Sequence, residues 1–158
     1  METLMIALMA WASVFTGLPQ PEHLPNVRVL ERCEIEGFAR GRLDPDCKND
    51  SPHGVVAAYD YRTTTVLIPE AFDPQSVRHQ AFLLHELVHH MQYESGMDME
   101  NPEPCRAAAI ERPAYDAMWA YVEASGADVE ETLRMNALFV VLVTSCQNMN
   151  GHEPGNGR

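Results

Sequence analysis

Two histidines four residues apart, with a glutamate between them, form the clearest chemical motif in the sequence. His85-Glu86-Leu87-Val88-His89 matches the pattern H-E-x-x-H. Residues four apart on a helix lie one turn apart on the same face, so both imidazoles can reach one metal ion. Catalytic zinc sites use three protein ligands and leave the fourth position to water. The motif therefore predicts a zinc (Zn²⁺) site with His85 and His89 as ligands and Glu86 as the general base.

The helix that carries the motif has its own start and stop signals. Asp73 is expected to cap it, Pro74 suits its first turn, and Gly96 can end it. One apolar face is formed by Val77, Ala81, Leu84, Val88 and Met91. The alternative is that the histidines lie on a solvated helix face, but the uncharged residues around them favour a metal site.

The third protein ligand has four candidates, which are His90, Glu111, Asp116 and His152. His90 follows His89 directly and so points about 100° away around the helix. We expect it to lie behind the ligands or to be partly exposed. His152 belongs to a tail rich in Gly and Pro, which is a poor setting for a fixed ligand. Glu111 follows His89 by 22 residues, which allows a loop and the return of a second helix, so we prefer Glu111.

The motif and Glu111 together resemble a known family. HELVH, followed by a helix–loop–helix return to Glu111 in ERPAY, resembles the gluzincin branch of the zinc metallopeptidases. Within that branch it is similar to the small single-domain minigluzincins and to similar bacterial proteins, most strongly over residues 64–124. The resemblance implies a zincin-like fold, peptide or protein substrates, and zinc held by His85, His89 and Glu111, with Glu86 as the base.

Two features near the proposed ligands keep alternatives open. Tyr115 lies one turn after Glu111; its hydroxyl can stabilise a tetrahedral intermediate, or its ring can be ordinary packing. Pro113 should kink the helix if the helix begins near Cys105, because it removes a backbone donor. If the helix begins near Glu111, the proline falls in the first turn, where it is tolerated.

The resemblance also implies a place for the substrate. The strand TTTVLIP, residues 63–69, would be an open sheet edge beside the active-site helix, and extended peptides would pair with its free N–H and C=O groups. The alternative is a strand that neighbouring elements cover on both sides, since proteins commonly protect their edges.

The periodicity of apolar residues, together with the Gly and Pro residues that end helices and strands, predicts an α+β fold. It is mostly helical, with a short sheet or hairpin beside the H-E-x-x-H helix. Helices are expected at residues 4–16, 73–96, 105–124 and 129–145, a strand at 26–31, and a hairpin within 55–69. Residues 36–54 are rich in Gly, Pro, Asp and Asn, which predicts an irregular connection. Residues 137–143 read ALFVVLV and are expected to be buried.

Length and composition predict one globular domain over residues 1–148 and a disordered tail over 149–158. The formal charge of −12 argues against nucleic acid and against anionic membrane surfaces as partners. The apolar run at 4–15 is either a domain helix that ends near Gly17 or a signal peptide or its remnant. Its flanking residues lack Lys and Arg, which favours the domain helix.

The four cysteines form no C-x-x-C pair, so no cysteine zinc cluster is expected. Their even number is compatible with two disulfides in an exported protein, with Cys33–Cys47 and Cys105–Cys146 the preferred pairs. Four reduced thiols in a cytosolic protein are the alternative. The location stays open, with export to the periplasm or the medium favoured.

The predicted activity is peptide hydrolysis by a zinc-activated water. One alternative is a zinc-binding protein without turnover, such as a relic or a partner-binding module on the same fold. Another is a zinc hydrolase of non-peptide amides. Glu86 favours an enzyme, because a base has no role in a structural zinc site, and such a site would normally use a fourth protein ligand.

Overall fold

The computed structural model describes residues 1–39, 56–99 and 104–145. Its elements in chain order are α1 (Glu2–Thr16), β1 (Asn26–Leu30), α2 (Arg32–Ala39), β2 (Ala58–Asp60), β3 (Thr65–Pro69), α3 (Val77–Glu94), α4 (Pro104–Ala124), α5 (Val129–Leu133) and α6 (Ala137–Thr144). Helices and a three-stranded sheet make the fold α+β, which confirms the predicted class. None of the helices in these ranges combines the length and apolar character that crossing a bilayer requires.

The sheet has the strand order β1-β3-β2, so β3 lies at its centre. β2 and β3 form the predicted antiparallel hairpin, with Tyr59 opposite Val66. β1 pairs with β3 on its other side, in parallel, with Val27 opposite Val66. Of the two alternatives for residues 63–69, the covered strand therefore holds, because β3 has a partner strand on each side. The parallel pairing of β1 with β3 joins segments that are far apart in the sequence, so a local sequence pattern does not predict it.

α3 is the central helix of the fold, since it packs against α1, α4 and the sheet. All ten residues from Leu83 to Gln92 are buried. The helix starts later than expected: Ser76, rather than Asp73, is the N-cap residue. Asp73 instead closes a turn before the helix, where its side chain accepts a hydrogen bond from the Gln75 N–H. Gly96 adopts the left-handed conformation just after the helix end, where a side chain would be strained.

The main hydrophobic core packs α1, the hairpin and α4 around α3. Its members come from α1 (Met5, Leu8, Met9, Ala12), the hairpin (Ala57, Tyr59, Val66, Ile68), α3 (Leu83, Leu84, Leu87, Val88, Met91) and α4 (Ala114, Ala117). α1 thus belongs to the same core as the H-E-x-x-H helix and fixes one side of it.

Three sequence predictions about flanking segments need correction. Residues 36–39 are helical, as part of α2, while 40–54 lie outside the described residues. The single helix expected at 129–145 is two helices, because Arg134 adopts a left-handed conformation at the end of α5 and Asn136 caps the start of α6. The segment ALFVVLV is largely exposed, since only one face of α6 packs against α4.

Cys33 and Cys105 are both disulfide-bonded. Cys47 and Cys146 lie outside the described residues, as does the tail at 149–158. The pairing of the cysteines therefore stays a prediction.

Two leucine truncations test the packing of α3 and α6. Leu87 is 0% exposed, and replacing it with alanine should lower the free energy of unfolding by about 2–5 kcal/mol, because a cavity remains in the core. Leu142 is 57% exposed, and Leu142→Ala should change stability by less than about 0.5 kcal/mol. Urea denaturation measures both values. Equal losses for the two variants would show that α6 is buried in solution.

Candidate metal centre

Three side chains from two helices converge on one point. His85 and His89 come from adjacent turns of α3, and Glu111 comes from α4. The two Nε2 atoms are 3.1 Å apart. Glu111 Oε2 lies 3.3 Å from His85 Nε2, and Glu111 Oε1 lies 3.6 Å from His89 Nε2. Within the described ranges, this is the group of His, Cys, Asp and Glu side chains whose ligand atoms are close enough to share one ion.

The separations of these four atoms, two imidazole nitrogens and the two oxygens of one carboxylate, suit a zinc ion. Tetrahedral zinc ligands at their usual bond lengths lie about 3.3–3.4 Å from one another. The observed separations of 3.1, 3.3 and 3.6 Å bracket that value. Two imidazole nitrogens that face each other at 3.1 Å cannot both carry a proton. The arrangement therefore suits a shared cation better than a set of direct hydrogen bonds.

The packing of α3 against α4 brings Glu111 to the histidines. Pro113 lies inside α4, which begins at Pro104, so the first of the two alternatives for this helix holds. Pro113 lacks the N–H that would bond to the Ala109 carbonyl, which interrupts the helical hydrogen bonding just before Glu111. Glu111 faces the two histidines all the same, and its side chain is 35% exposed.

The charges of the three residues are coupled. Burial lowers the pKa of His89, but the Glu111 carboxylate beside it outweighs burial and raises the pKa to about 9. Burial raises the pKa of Glu111, but the neighbouring imidazoles of His85 and His89 hold it well below its usual range. Without a metal, an imidazolium thus faces the carboxylate, and a divalent ion must displace that proton to bind.

Glu86 lies beside the ligands and is buried, at 8% exposed. Burial raises the pKa of its carboxyl group, and the charges of His85 and His89 oppose that shift. The backbone N–H of Tyr59, on β2, donates a hydrogen bond to it. A buried carboxylate with few donors is a better proton acceptor than an exposed one, as a general base requires.

His90 ties α3 to β2 and to the segment before β1. Its Nε2 lies 2.9 Å from the His23 carbonyl oxygen, which can only accept, so Nε2 carries the proton. Nδ1 is then an acceptor, and the Tyr59 hydroxyl donates to it over 3.0 Å. His90 is 1% exposed, which excludes partial exposure and leaves the other alternative, a place behind the ligand candidates. Its bond to Tyr59 fixes the strand whose backbone contacts Glu86.

The rings of His85 and His89 are held in place by different contacts. His89 Nδ1 is 2.9 Å from the side-chain oxygen of Gln92, which fixes the ring and leaves Nε2 free for a metal. His85 Nδ1 is buried, and no described residue hydrogen-bonds to it. The His85 ring instead packs edge-on against Tyr115, with the centroids 4.6 Å apart.

Tyr115 also lines the cleft beside His85, Glu86 and Glu111. Its pKa is raised, first by burial and then by the charges of Glu111 and Glu86, so the hydroxyl stays protonated and can donate. Its contact with His85 is the packing that one interpretation predicts, while its place in the cleft suits the catalytic interpretation. The catalytic role stays a prediction.

The cleft has a volume of about 700 Å³. His85, Glu86, His89 and Glu111 line it, together with residues 57–62 of β2 and the turn that follows. Val143 of α6 lines it as well. Any molecule bound near the ligand atoms would therefore lie alongside β2.

The remaining ligand candidates lie elsewhere. Asp116 is on the exposed side of α4, and His152 is outside the described residues. Sequence reasoning missed Tyr59 and Gln92. Gln92 had a usable signal, since it follows His89 by three residues and so lies on the same helix face. Tyr59 had none, because its partners are far away in the sequence.

Comparison with known proteins identifies the family. A family model described as "Domain of unknown function (DUF6647)" matches residues 1–154. The chain belongs to this family. No curated protein and no solved structure matched the chain. The match spans every described helix and the sheet, so the three converging side chains lie within the family domain.

Removal of the Tyr59 hydroxyl tests the contact between β2 and α3. Tyr59→Phe should lower the free energy of unfolding by about 1–3 kcal/mol, because His90 Nδ1 would stay buried without its donor. Tyr61→Phe is the matched control, since that ring packs against Tyr93 and should change stability by less than about 0.5 kcal/mol. Chemical denaturation gives both values, and equal effects would contradict the role of the Tyr59–His90 bond.

Proposed function

We propose that the protein is a zinc-dependent peptidase. The observation that carries this proposal is the convergence of His85 Nε2, His89 Nε2 and a Glu111 carboxylate at 3.1–3.6 Å from one another, beside a cleft of about 700 Å³. Two neutral imidazoles and one carboxylate are the ligand set of many catalytic zinc sites. Three protein ligands leave room for water and substrate, which a structural site with four ligands would not.

His85, His89 and Glu111 would hold the zinc. Bound there, zinc would supply a water of lowered pKa and would polarise a substrate carbonyl group. Glu86 accepts the proton from the attacking water, whose oxygen bonds to the peptide carbonyl carbon. The same carboxyl group then donates that proton to the leaving nitrogen as the C–N bond breaks. The raised pKa of Glu86 suits both steps, since the group must take up a proton and release it again.

Tyr115 would stabilise the charge that develops on the carbonyl oxygen. Its hydroxyl stays protonated, because burial and the nearby carboxylates raise its pKa. It lines the same cleft as Glu86 and Glu111. The hydrogen bond from such a donor strengthens as negative charge develops on the oxygen, which is the usual basis of this stabilisation.

An extended peptide fits this cleft better than a compact amide. β2 is bonded to β3 on one side, and no other described residue pairs with its second side. Residues 57–62 of this edge line the cleft. A peptide could add to the sheet along β2, with main-chain hydrogen bonds that do not depend on its sequence. The substrate edge is then β2, rather than the central strand β3.

Zinc content tests the ligand set. The wild-type protein should hold one zinc per chain, and Glu111→Ala should lose it. The loss of zinc affinity should exceed the roughly 10–100-fold that is typical when a residue behind a ligand is replaced. Asp116→Ala is the matched control, because Asp116 is an exposed carboxylate on the same helix. Metal analysis after dialysis measures all three. Full zinc content in Glu111→Ala would show that the third ligand lies elsewhere.

Replacing the base separates catalysis from metal binding. Glu86→Gln should retain zinc but lower the rate of peptide hydrolysis by about 10²–10⁴-fold, because the amide cannot accept the proton. Glu94→Gln, an exposed change on the same helix, should keep full activity. The assay is mass spectrometry of a mixed peptide library. Full hydrolysis by Glu86→Gln would overturn the mechanism, and zinc binding without any hydrolysis by the wild type would favour the silent metal-binding protein.

A further inference from the structure

We infer that Gln92 is a positioning residue that couples two metal ligands on different helices. It fixes the ring of His89 on α3 and holds the backbone of α4 next to Glu111. This inference rests on the proposed metal site. It assigns a role to the last buried residue of α3, which the reaction steps above do not use.

Both ends of the Gln92 side chain are engaged in a fully buried setting. Its side-chain oxygen lies 2.9 Å from His89 Nδ1. Its amide nitrogen donates to the Ile110 carbonyl oxygen over 2.8 Å. The residue is 0% exposed, so water cannot replace either partner.

Through Gln92, the Ile110 carbonyl determines which nitrogen of the neutral His89 ring carries the proton. A carbonyl oxygen can only accept, so the NH₂ group of Gln92 must face Ile110 and its oxygen must face His89. That oxygen is an acceptor, so His89 must carry a proton on Nδ1. In the neutral ring, Nε2 is then left as the lone-pair donor, and it is the atom that points at His85 and Glu111.

The same amide also sets the distance between the two helices at the site. Ile110 is the residue before Glu111, so its carbonyl is attached to the backbone that carries the third ligand. Because the carboxamide is planar, its two bonds fix His89 and the Ile110 carbonyl relative to each other. Pro113 weakens the intrahelical hydrogen bonding of α4 one residue before this point, so an external bond is well placed to hold the backbone.

Few other side chains can replace Gln92. A glutamate can accept from His89 but has no N–H for the Ile110 carbonyl. An asparagine keeps both groups but is one methylene shorter, so it cannot reach both partners. A methionine has a similar volume and forms neither bond. These three substitutions therefore separate the two contacts from the simple filling of space.

The test is the dissociation constant for zinc, measured by competition with a chromophoric chelator. Gln92→Met should weaken zinc binding by about 10–100-fold, as is typical for loss of a partner behind a ligand. Gln92→Glu should fall between the wild type and Gln92→Met, because it restores only the bond to His89. Circular dichroism of the metal-free proteins ensures that only the folded chain is compared.

Gln80→Met is the matched control. Gln80 lies on the same helix and also makes two hydrogen bonds, to the Pro74 carbonyl and from the Tyr121 hydroxyl, away from the site. A merely structural role for Gln92 would make the two methionine variants equal in zinc affinity, even if both are less stable. We expect Gln80→Met to bind zinc like the wild type.

The outcomes distinguish this inference from the proposed function. Unchanged zinc affinity in Gln92→Met, with a wild type that binds one zinc, would overturn the role of Gln92 and leave the metal site standing. A wild type that binds no zinc would overturn both. If Gln92→Met does not fold, Gln92→Asn replaces it, and affinity equal to that of the wild type would again refute the inference.

Discussion

The buried stretch of α3 imposes the main constraint on this structure. Its polar side chains are His85, Glu86, His89, His90 and Gln92, and all of them are buried. A buried polar group is costly unless it is hydrogen-bonded or binds an ion. The surrounding elements must therefore supply partners at fixed positions, and a fold that failed to do so would be unstable in its central helix.

Those partners come from three separate parts of the chain. α4 supplies the Glu111 carboxylate and the Ile110 carbonyl, β2 supplies Tyr59, and the segment before β1 supplies the His23 carbonyl. Once these bonds are made, two imidazole nitrogens and one carboxylate still face each other at the cleft. The negative charge of the Glu111 carboxylate lies where a cation can balance it, and Glu86 lies next to that point.

The grouping of His85, Glu86 and His89 was predictable from the sequence because the three residues are close together on one helix. The spacing of His85 and His89 on a helix places them on one face whatever the rest of the chain does. Glu111 was chosen by loop length and by resemblance, and the structure brings it within 3.3 Å of His85. Gln92 was within reach of the same helical argument. Tyr59 was not, since its contact to His90 depends on how the sheet packs against α3.

The sequence by itself determined the motif helix, the hairpin and the apolar stretches, because these depend on periodicity and on contacts between near neighbours. Only the tertiary structure decided which strand is central, because β1 pairs with β3 across many residues. It also decided that α6 is exposed, since an apolar pattern does not say whether another element covers it. The candidate site depends on both levels: helical spacing places His85 and His89 on one face, and the packing of α4 on α3 places Glu111 beside them.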